Sequence, residues 1–145
     1  MEKYTTLYVD PYILYFVMKI LGIDYGTKRI GLAFADTTLG VVLPFGIVKT
    51  IPSLIKLIQE EKVGKVIIGF PMGLNGKENS NTKRVQEAGF EIEKATGITV
   101  DYFDERFSSQ AADAAGGNVS RDERSAMIIL EGYLDAKKTR NQKNN

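Results

Sequence analysis

From Lys19 onward, apolar residues change their spacing in a way that separates strands from helices. Lys19 to Tyr25 and Arg29 to Ala35 are short, β-rich runs joined by a turn at Gly26 to Arg29. A third run, Val41 to Val48, lies beyond the turn-forming Asp36-Thr37-Thr38-Leu39-Gly40. Such short connections predict an antiparallel meander. Ile51, Leu54, Ile55 and Ile58 then recur at helical spacing, with Pro52 in the first turn and Gly64 past the end. That helix returns the chain to the sheet. Val66-Ile67-Ile68-Gly69-Phe70 is a continuous apolar run, as expected of a parallel, central strand buried on both faces. Beyond the loop Pro71-Met72-Gly73-Leu74-Asn75-Gly76, a second helix carries Val85, Ala88, Ile92 and Ala95 on one face before Gly97, and Ile98 to Phe103 reads as a fifth strand. A short helix after Ser108-Ser109, a break at Gly116-Gly117-Asn118 and a final helix from about Arg121 to Lys138 complete the pattern. The predicted class is α/β: a mixed five-stranded sheet, three strands antiparallel and then two parallel, with helices on both faces.

Composition narrows this picture to one domain, because 145 residues with 43% hydrophobic content suit a single core. The domain is expected over residues 18 to 138. Before it, Tyr4, Tyr8, Tyr12 and Tyr15 crowd a segment ending just ahead of Met18, a composition shift that marks a boundary. Residues 1 to 17 fit translation that starts at Met18, a lineage-specific extension or a short added strand. The Asn/Lys/Gln-rich residues 139 to 145 are expected to be disordered. No apolar stretch reaches roughly 18 residues and no signal peptide is recognisable, so a cytoplasmic location away from membranes is expected. The chain has no cysteine and no histidine, which removes disulfides, thiol chemistry, Cys/His zinc sites, Ser-His-Asp triads and imidazole acids or bases. Any chemistry must use carboxylates, hydroxyls, amines or guanidinium. A net charge of +1 neither announces nor excludes a polyanionic partner. Basic residues nevertheless recur near acidic ones: Lys28 and Arg29, Lys83 and Arg84, Arg106, Arg121 and Arg124, and the run from Lys137 to Lys143. Each cluster alone reads equally as solvated surface charge.

Three acidic positions carry the candidate chemistry. Asp24 sits in Gly22-Ile23-Asp24-Tyr25-Gly26-Thr27; alternation puts it on one strand face with Gly22 and Ile20, and the missing side chain at Gly22 would leave room beside the carboxylate for a metal or phosphate. A turn-forming Asp at a strand end is the plainer alternative. Asp104-Glu105-Arg106 ends the fifth strand, where open α/β sheets place their ligands. Regular alternation points Asp104 and Glu105 to opposite faces, so one of them, with Glu105 favoured, would join Asp24. Asp122 lies in the first turn of the last helix, because Ser120 and Glu123 form a capping box. Ala126 and Ile129 follow it four and seven residues on, so its carboxylate should face the sheet. Converging, Asp24, Glu105 (or Asp104) and Asp122 would offer an oxygen-rich site for Mg²⁺ or Mn²⁺. Two such ions could stabilise attacking and leaving oxygens, which makes phosphodiester cleavage the natural reaction class. Lys28, Arg29, Arg106, Arg124 and Asn75 are the candidate substrate-binding residues.

Met18-Lys19-Ile20-Leu21-Gly22-Ile23-Asp24-Tyr25-Gly26-Thr27-Lys28-Arg29-Ile30-Gly31 resembles the opening of the YqgF (RuvX-like) family. Gly69-Phe70-Pro71 with Asn75-Gly76, Asp104-Glu105-Arg106-Phe107-Ser108-Ser109, and Asp122 ahead of Ser125 to Tyr133 resemble its later blocks in order, over residues 18 to 136. The resemblance implies an RNase H-like fold related to Holliday junction resolvases and a nuclease maturing the 5′ end of precursor 16S ribosomal RNA. Related resolvases place an acid at the end of the fourth strand, where this chain has Phe70-Pro71. The second acid must then come from Asp104 or Glu105, and junction resolution is not inherited from the shared fold alone; branched DNA remains an alternative substrate to precursor rRNA, and the chain a monomer or a homodimer, paired cuts favouring a symmetric dimer. Two other classes stay open: Asp24-Tyr25-Gly26-Thr27 also resembles the first phosphate loop of actin-like ATPases and sugar kinases, and the basic clusters alone would suit a non-catalytic RNA-binding assembly factor.

Overall fold

The computed structural model describes residues 18–36, 40–70, 79–104 and 118–143. Strands β1 (Lys19–Tyr25), β2 (Ile30–Asp36) and β3 (Leu43–Val48) are followed by helix α1 (Ile51–Glu60), strand β4 (Lys65–Gly69), helix α2 (Ser80–Thr96), strand β5 (Val100–Phe103) and helix α3 (Arg121–Lys143). The sheet order is β3-β2-β1-β4-β5. β1 pairs antiparallel with β2 and β2 with β3, whereas β1–β4 and β4–β5 are parallel. The expected meander and parallel return are both present.

Local signals explain the helix starts. Thr50 caps α1, its Oγ1 accepting from Ser53 N at 3.1 Å ahead of a proline in the first turn. Asn79 caps α2 reciprocally with Thr82, and Gly97 ends that helix in the left-handed region at φ 72°. Alternation along the strands then divides the core into two layers. Leu21, Ile23, Leu32, Val66 and Ile68 pack with Leu54 and Ile58 of α1 and Val85 and Ile92 of α2. Ile20, Ala33, Ala35, Ile67 and Phe103 pack on the other face with Ala126, Met127, Ile129, Leu130 and Tyr133 of α3. Each fully buried Leu or Ile contributes about 1.5–3 kcal/mol by transfer.

Three boundaries differ from expectation. β2 begins at Ile30 rather than Arg29, because the chain is still closing the turn: a Cβ at Gly26 would stand 2.5 Å from the Arg29 carbonyl oxygen. β3 begins at Leu43 rather than Val41, Leu43 being the first residue registered on β2, opposite Phe34. α3 runs through Lys143 instead of stopping at Lys138, so residues 139–143 are helical where a disordered tail was expected. No Gly or Pro falls in residues 139–143, and Lys, Arg and Gln are good helix formers. The expected loop from Pro71, the short helix after Ser109 and residues 1 to 17 lie outside the described residues.

Candidate active site

α3 crosses the sheet over glycines. A Cβ at Gly22 of β1 would lie 2.8 Å from Leu130 Cβ and 3.0 Å from the Ala126 carbonyl oxygen. One at Gly69 of β4 would lie 2.5 Å from Ile129 Cδ1, and one at Gly31 of β2 would overlap the Asp122 backbone carbonyl. The space at Gly22 is therefore filled by α3. This overturns the expectation of a ligand cradle there: the missing side chain admits a helix, not a metal or phosphate.

The same close approach seats Asp122 over the strand position opposite Asp24. Asp24 is the cross-strand partner of Gly31, and Asp122 Cβ is 2.8 Å from where a Gly31 Cβ would be. Directly opposed positions in an antiparallel pair have Cβ atoms about 4.5–5.5 Å apart. Asp24 and Asp122 are consequently neighbours on the α3 face, beside the carboxyl ends of β1 and β4. Both are half-buried.

Helix α3 is fixed at this point by its own cap. Glu123 N donates to Ser120 Oγ at 3.1 Å while Ser120 N donates to Glu123 Oε1 at 3.2 Å, the expected capping box. Glu123 Oε2 also accepts from Gly46 N of β3 at 2.7 Å, bracing the helix against the edge strand. Burial pushes the Glu123 pKa up, but the bonds from Ser120 and Gly46 outweigh it and the net direction is down. Arg29 Nε donates to Asp122 Oδ2 at 2.9 Å.

On the other side of Asp24, α2 clamps the β1–β2 turn. Arg84 Nη2 donates to the Tyr25 carbonyl at 2.8 Å, Nη1 to the Gly26 carbonyl at 3.4 Å, and the guanidinium carbon stands 4.4 Å from the Tyr25 ring centroid. A cavity of about 230 Å³ opens between these groups, lined by Asp24, Thr27, Gly69, Asn81 and Arg84 among others. Sequence reasoning placed Arg84 only in a basic cluster. The available signal is its position next to core-facing Val85, at the rim of the buried helix face.

The remaining candidates divide three ways. Lys28 is exposed in the β1–β2 turn, close to Asp24 in sequence, and Arg29 is engaged with Asp122. Arg124 stands roughly 200° round α3 from Asp122, which turns it away from the paired carboxylates. Glu105, Arg106 and Asn75 lie outside the described residues. Asp104 is described and half-buried. In β5, Asp101 and Phe103 face α3, since Asp101 accepts from Tyr133 and Phe103 joins the α3 core layer. Tyr102 packs toward α2, its hydroxyl where a Cβ at Gly89 would fall. Among the described residues no group of three or more acidic side chains could hold a metal ion.

Comparison with known proteins extends these observations. The chain is 33% identical over 136 residues to a protein of Agathobacter rectalis, covering 81% of this chain and 95% of that one. It is 37% identical over 144 residues to a protein of Oceanobacillus iheyensis, covering 83% of this chain and all of the other (100%). Both relatives carry the provisional name pre-16S rRNA nuclease. Among solved structures, Thermus thermophilus RuvC in complex with a Holliday junction substrate superposes with a TM-score of 0.63 at 12% identity, over 84% of this chain and 96% of that one. At that identity the likeness establishes the fold, which is RNase H-like, and not the activity. Residues 18–136 match the family described as RuvX: Holliday junction resolvase, and the chain, with relatives of this closeness over most of its length, belongs to that family.

Proposed function

We propose that this chain is a nuclease that hydrolyses nucleic-acid phosphodiesters with Mg²⁺ or Mn²⁺, acting in 5′-end maturation of precursor 16S rRNA in the cytoplasm. The observation that carries the reading is the juxtaposition of Asp24 and Asp122 over Gly31, where α3 leaves no room for any side chain between them. Two carboxylates brought together beside open strand ends are hard oxygen donors of the kind these ions take, so the residues present fit the metal. Asp24, Asp122 and Glu105 would hold it, and it would supply charge stabilisation for the attacking and leaving oxygens. β5 supports Glu105 over Asp104 as the third ligand. Asp101 and Phe103 are on the α3 face, so alternation continued two residues beyond β5 would bring 105, not 104, to that side.

The chain's own groups do the positioning. The capping box and the Glu123–Gly46 bond hold the first turn of α3 in place, and Arg29 orients Asp122 by engaging one carboxylate oxygen. Arg84 fixes the Tyr25–Gly26 backbone and with it the direction of Asp24. Lys28, exposed on the turn, is available to a substrate phosphate. A homologue's fold bound to a four-way junction, and the family's description, favour branched DNA as the second reading. No helix among the described residues is long and apolar enough to cross a membrane.

The test is a Mg²⁺-dependent cleavage assay offering a precursor 16S 5′-leader RNA and a four-way DNA junction to wild type and Asp24→Asn. The expected result is cleavage of the RNA by wild type and a loss on the order of a hundredfold or more in the variant, with circular dichroism unchanged. Junction cleavage alone would replace the first reading with the second. Full activity in pure Asp24→Asn would remove Asp24 from the site, and with it the metal site argued here.

A further inference from the structure

The sheet-facing stripe of α3 changes character where the helix passes the end of the sheet. Upstream it is apolar, with Ala126, Ile129, Leu130 and Tyr133 buried. Beyond Tyr133, the same helical phase brings Lys137 four residues on and Arg140 three further, both exposed. A cavity of about 650 Å³ lies between this part of α3 and strand β5, lined by Asp101, Tyr102, Phe103, Tyr133, Lys137 and Arg140 among others.

The floor of that cavity is a closed polar network. Tyr133 Oη donates to Asp101 Oδ2 at 2.7 Å, and Lys65 Nζ pairs with the same oxygen at 3.1 Å. Lys65 Nζ also stands 5.4 Å from the Tyr133 ring centroid, and Lys137 Nζ stands 5.6 Å from it. Asp101 is thus matched by Lys65. Lys137 and Arg140 have no ion pair with a carboxylate among the described residues. Charge repulsion from Lys65, with burial, lowers the Lys137 pKa and outweighs the opposing pull of Asp101, as expected where ammonium groups converge. Counting Lys137, Arg140 and the adjoining Lys65 against Asp101 leaves two positive charges in excess among these four groups.

We propose that this cavity is a second contact for the backbone of the same nucleic acid, with Lys137 and Arg140 on α3 binding phosphates that flank the cleaved one. The inference rests on the chain being a nucleic-acid-binding enzyme. α3 sets the spacing: Lys137 is 15 residues from Asp122 and Arg140 is 18, which at 1.5 Å per residue is about 22 and 27 Å along the axis. The substrate is therefore gripped several nucleotides from the scissile bond, and these residues contribute affinity and register rather than chemistry.

The test measures binding of a fluorescein-labelled 20-nucleotide single-stranded RNA in EDTA by anisotropy, across a salt series, for the full chain. The double variant Lys137→Gln/Arg140→Gln should flatten the slope of log K against log salt by about 1.4, from about 0.7 per phosphate contact, and bind about 25-fold more weakly at 0.1 M salt. Lys56→Gln/Lys94→Gln removes the same charge from exposed positions on α1 and α2 and should keep the wild-type slope. Equal slopes for wild type and the α3 variant would overturn the proposal. Equal losses in both doubles would also overturn it, by showing a response to net charge alone. Absence of RNA binding by wild type would overturn it too, leaving the open β5 edge to a protein partner. Failure of the nuclease reading looks different: RNA is bound with the predicted slope but not cut when Mg²⁺ is added.

Discussion

Gly31→Ala tests the packing that makes the site. The added Cβ would overlap the Asp122 carbonyl and approach its Cβ to 2.8 Å, and the nearest atoms are backbone, which cannot rotate aside as a side-chain tip can. Either α3 lifts at its first turn or β2 bends. Overpacking of this sort costs about 1–3 kcal/mol. For a chain of this size that corresponds to a melting temperature about 3–12 °C lower. Lifting α3 would also draw Asp122 away from Asp24, and misplacement by about 1 Å can cost on the order of a hundredfold in rate. The matched control is Gly64→Ala, whose Cβ would meet the Met18 Cγ at 2.8 Å, a flexible side chain that can move. Its stability should stay within about 1 kcal/mol of wild type. Thermal unfolding by circular dichroism and the cleavage assay are run on both. If Gly31→Ala melts and cleaves like Gly64→Ala, the close seat of α3 on β2 is wrong, and with it the adjacency of the two carboxylates.

Other expectations follow from the same contacts. Tyr133→Phe removes a hydrogen bond to a carboxylate and should destabilise the fold by about 1.5–3 kcal/mol in urea unfolding, with little change in the metal dependence of cleavage. Burial opposes ionisation of Asp101, but bonds from Tyr133 and Lys65 outweigh it, so its folded pKa is lowered from the ordinary value of 3.8. A lowered carboxylate pKa stabilises above the unfolded value and loses that contribution as pH falls through the folded one. Stability measured from pH 6 down to 2 should thus fall less steeply below about pH 4 in Asp101→Asn than in wild type. Deleting residues 1 to 17 should leave a folded, active chain, since the matched family region begins at residue 18; aggregation or a lost thermal transition would assign that segment a packing role. Asp104→Asn and Glu105→Gln should differ in cleavage across a Mg²⁺ titration, Glu105→Gln being the more severe and partly rescued by added metal; equal, severe losses would refute the parity argument.

The sheet was legible because each strand announced its environment. Val66 to Gly69 is apolar without interruption and is buried on both faces between β1 and β5. The meander was legible from its turns, and Asp122 from a capping box that can be read in four residues. Edges were less so. The irregular register between Gly31 and Ala33 depends on β2–β3 pairing, a long-range property that no local run encodes. The length of α3 was misjudged because a polar composition fits both a solvated helix end and a tail, and the chain offers no stop residue to choose between them.

Gly22 shows why a site can be half-read from sequence. Alternation correctly places it on the face of Asp24, and it is equally correct that no side chain occupies that face at Gly22. What alternation cannot supply is the occupant. Gly22, Gly31 and Gly69 lie on three adjacent strands and all face α3, so together they form a lane in which helix backbone approaches the sheet at Gly22 and Gly31 and the Ile129 side chain fills the space at Gly69. A helix seated that closely has little freedom in its axial position. Its first turn is then fixed over the one β2 residue that opposes Asp24. The vacancy is thus not the binding site but the reason that Asp122, nearly a hundred residues along the chain, arrives beside Asp24 at all. Gly22 and Gly31 therefore act on the chemistry through helix placement, and a substitution at either should move Asp122 before it blocks a ligand.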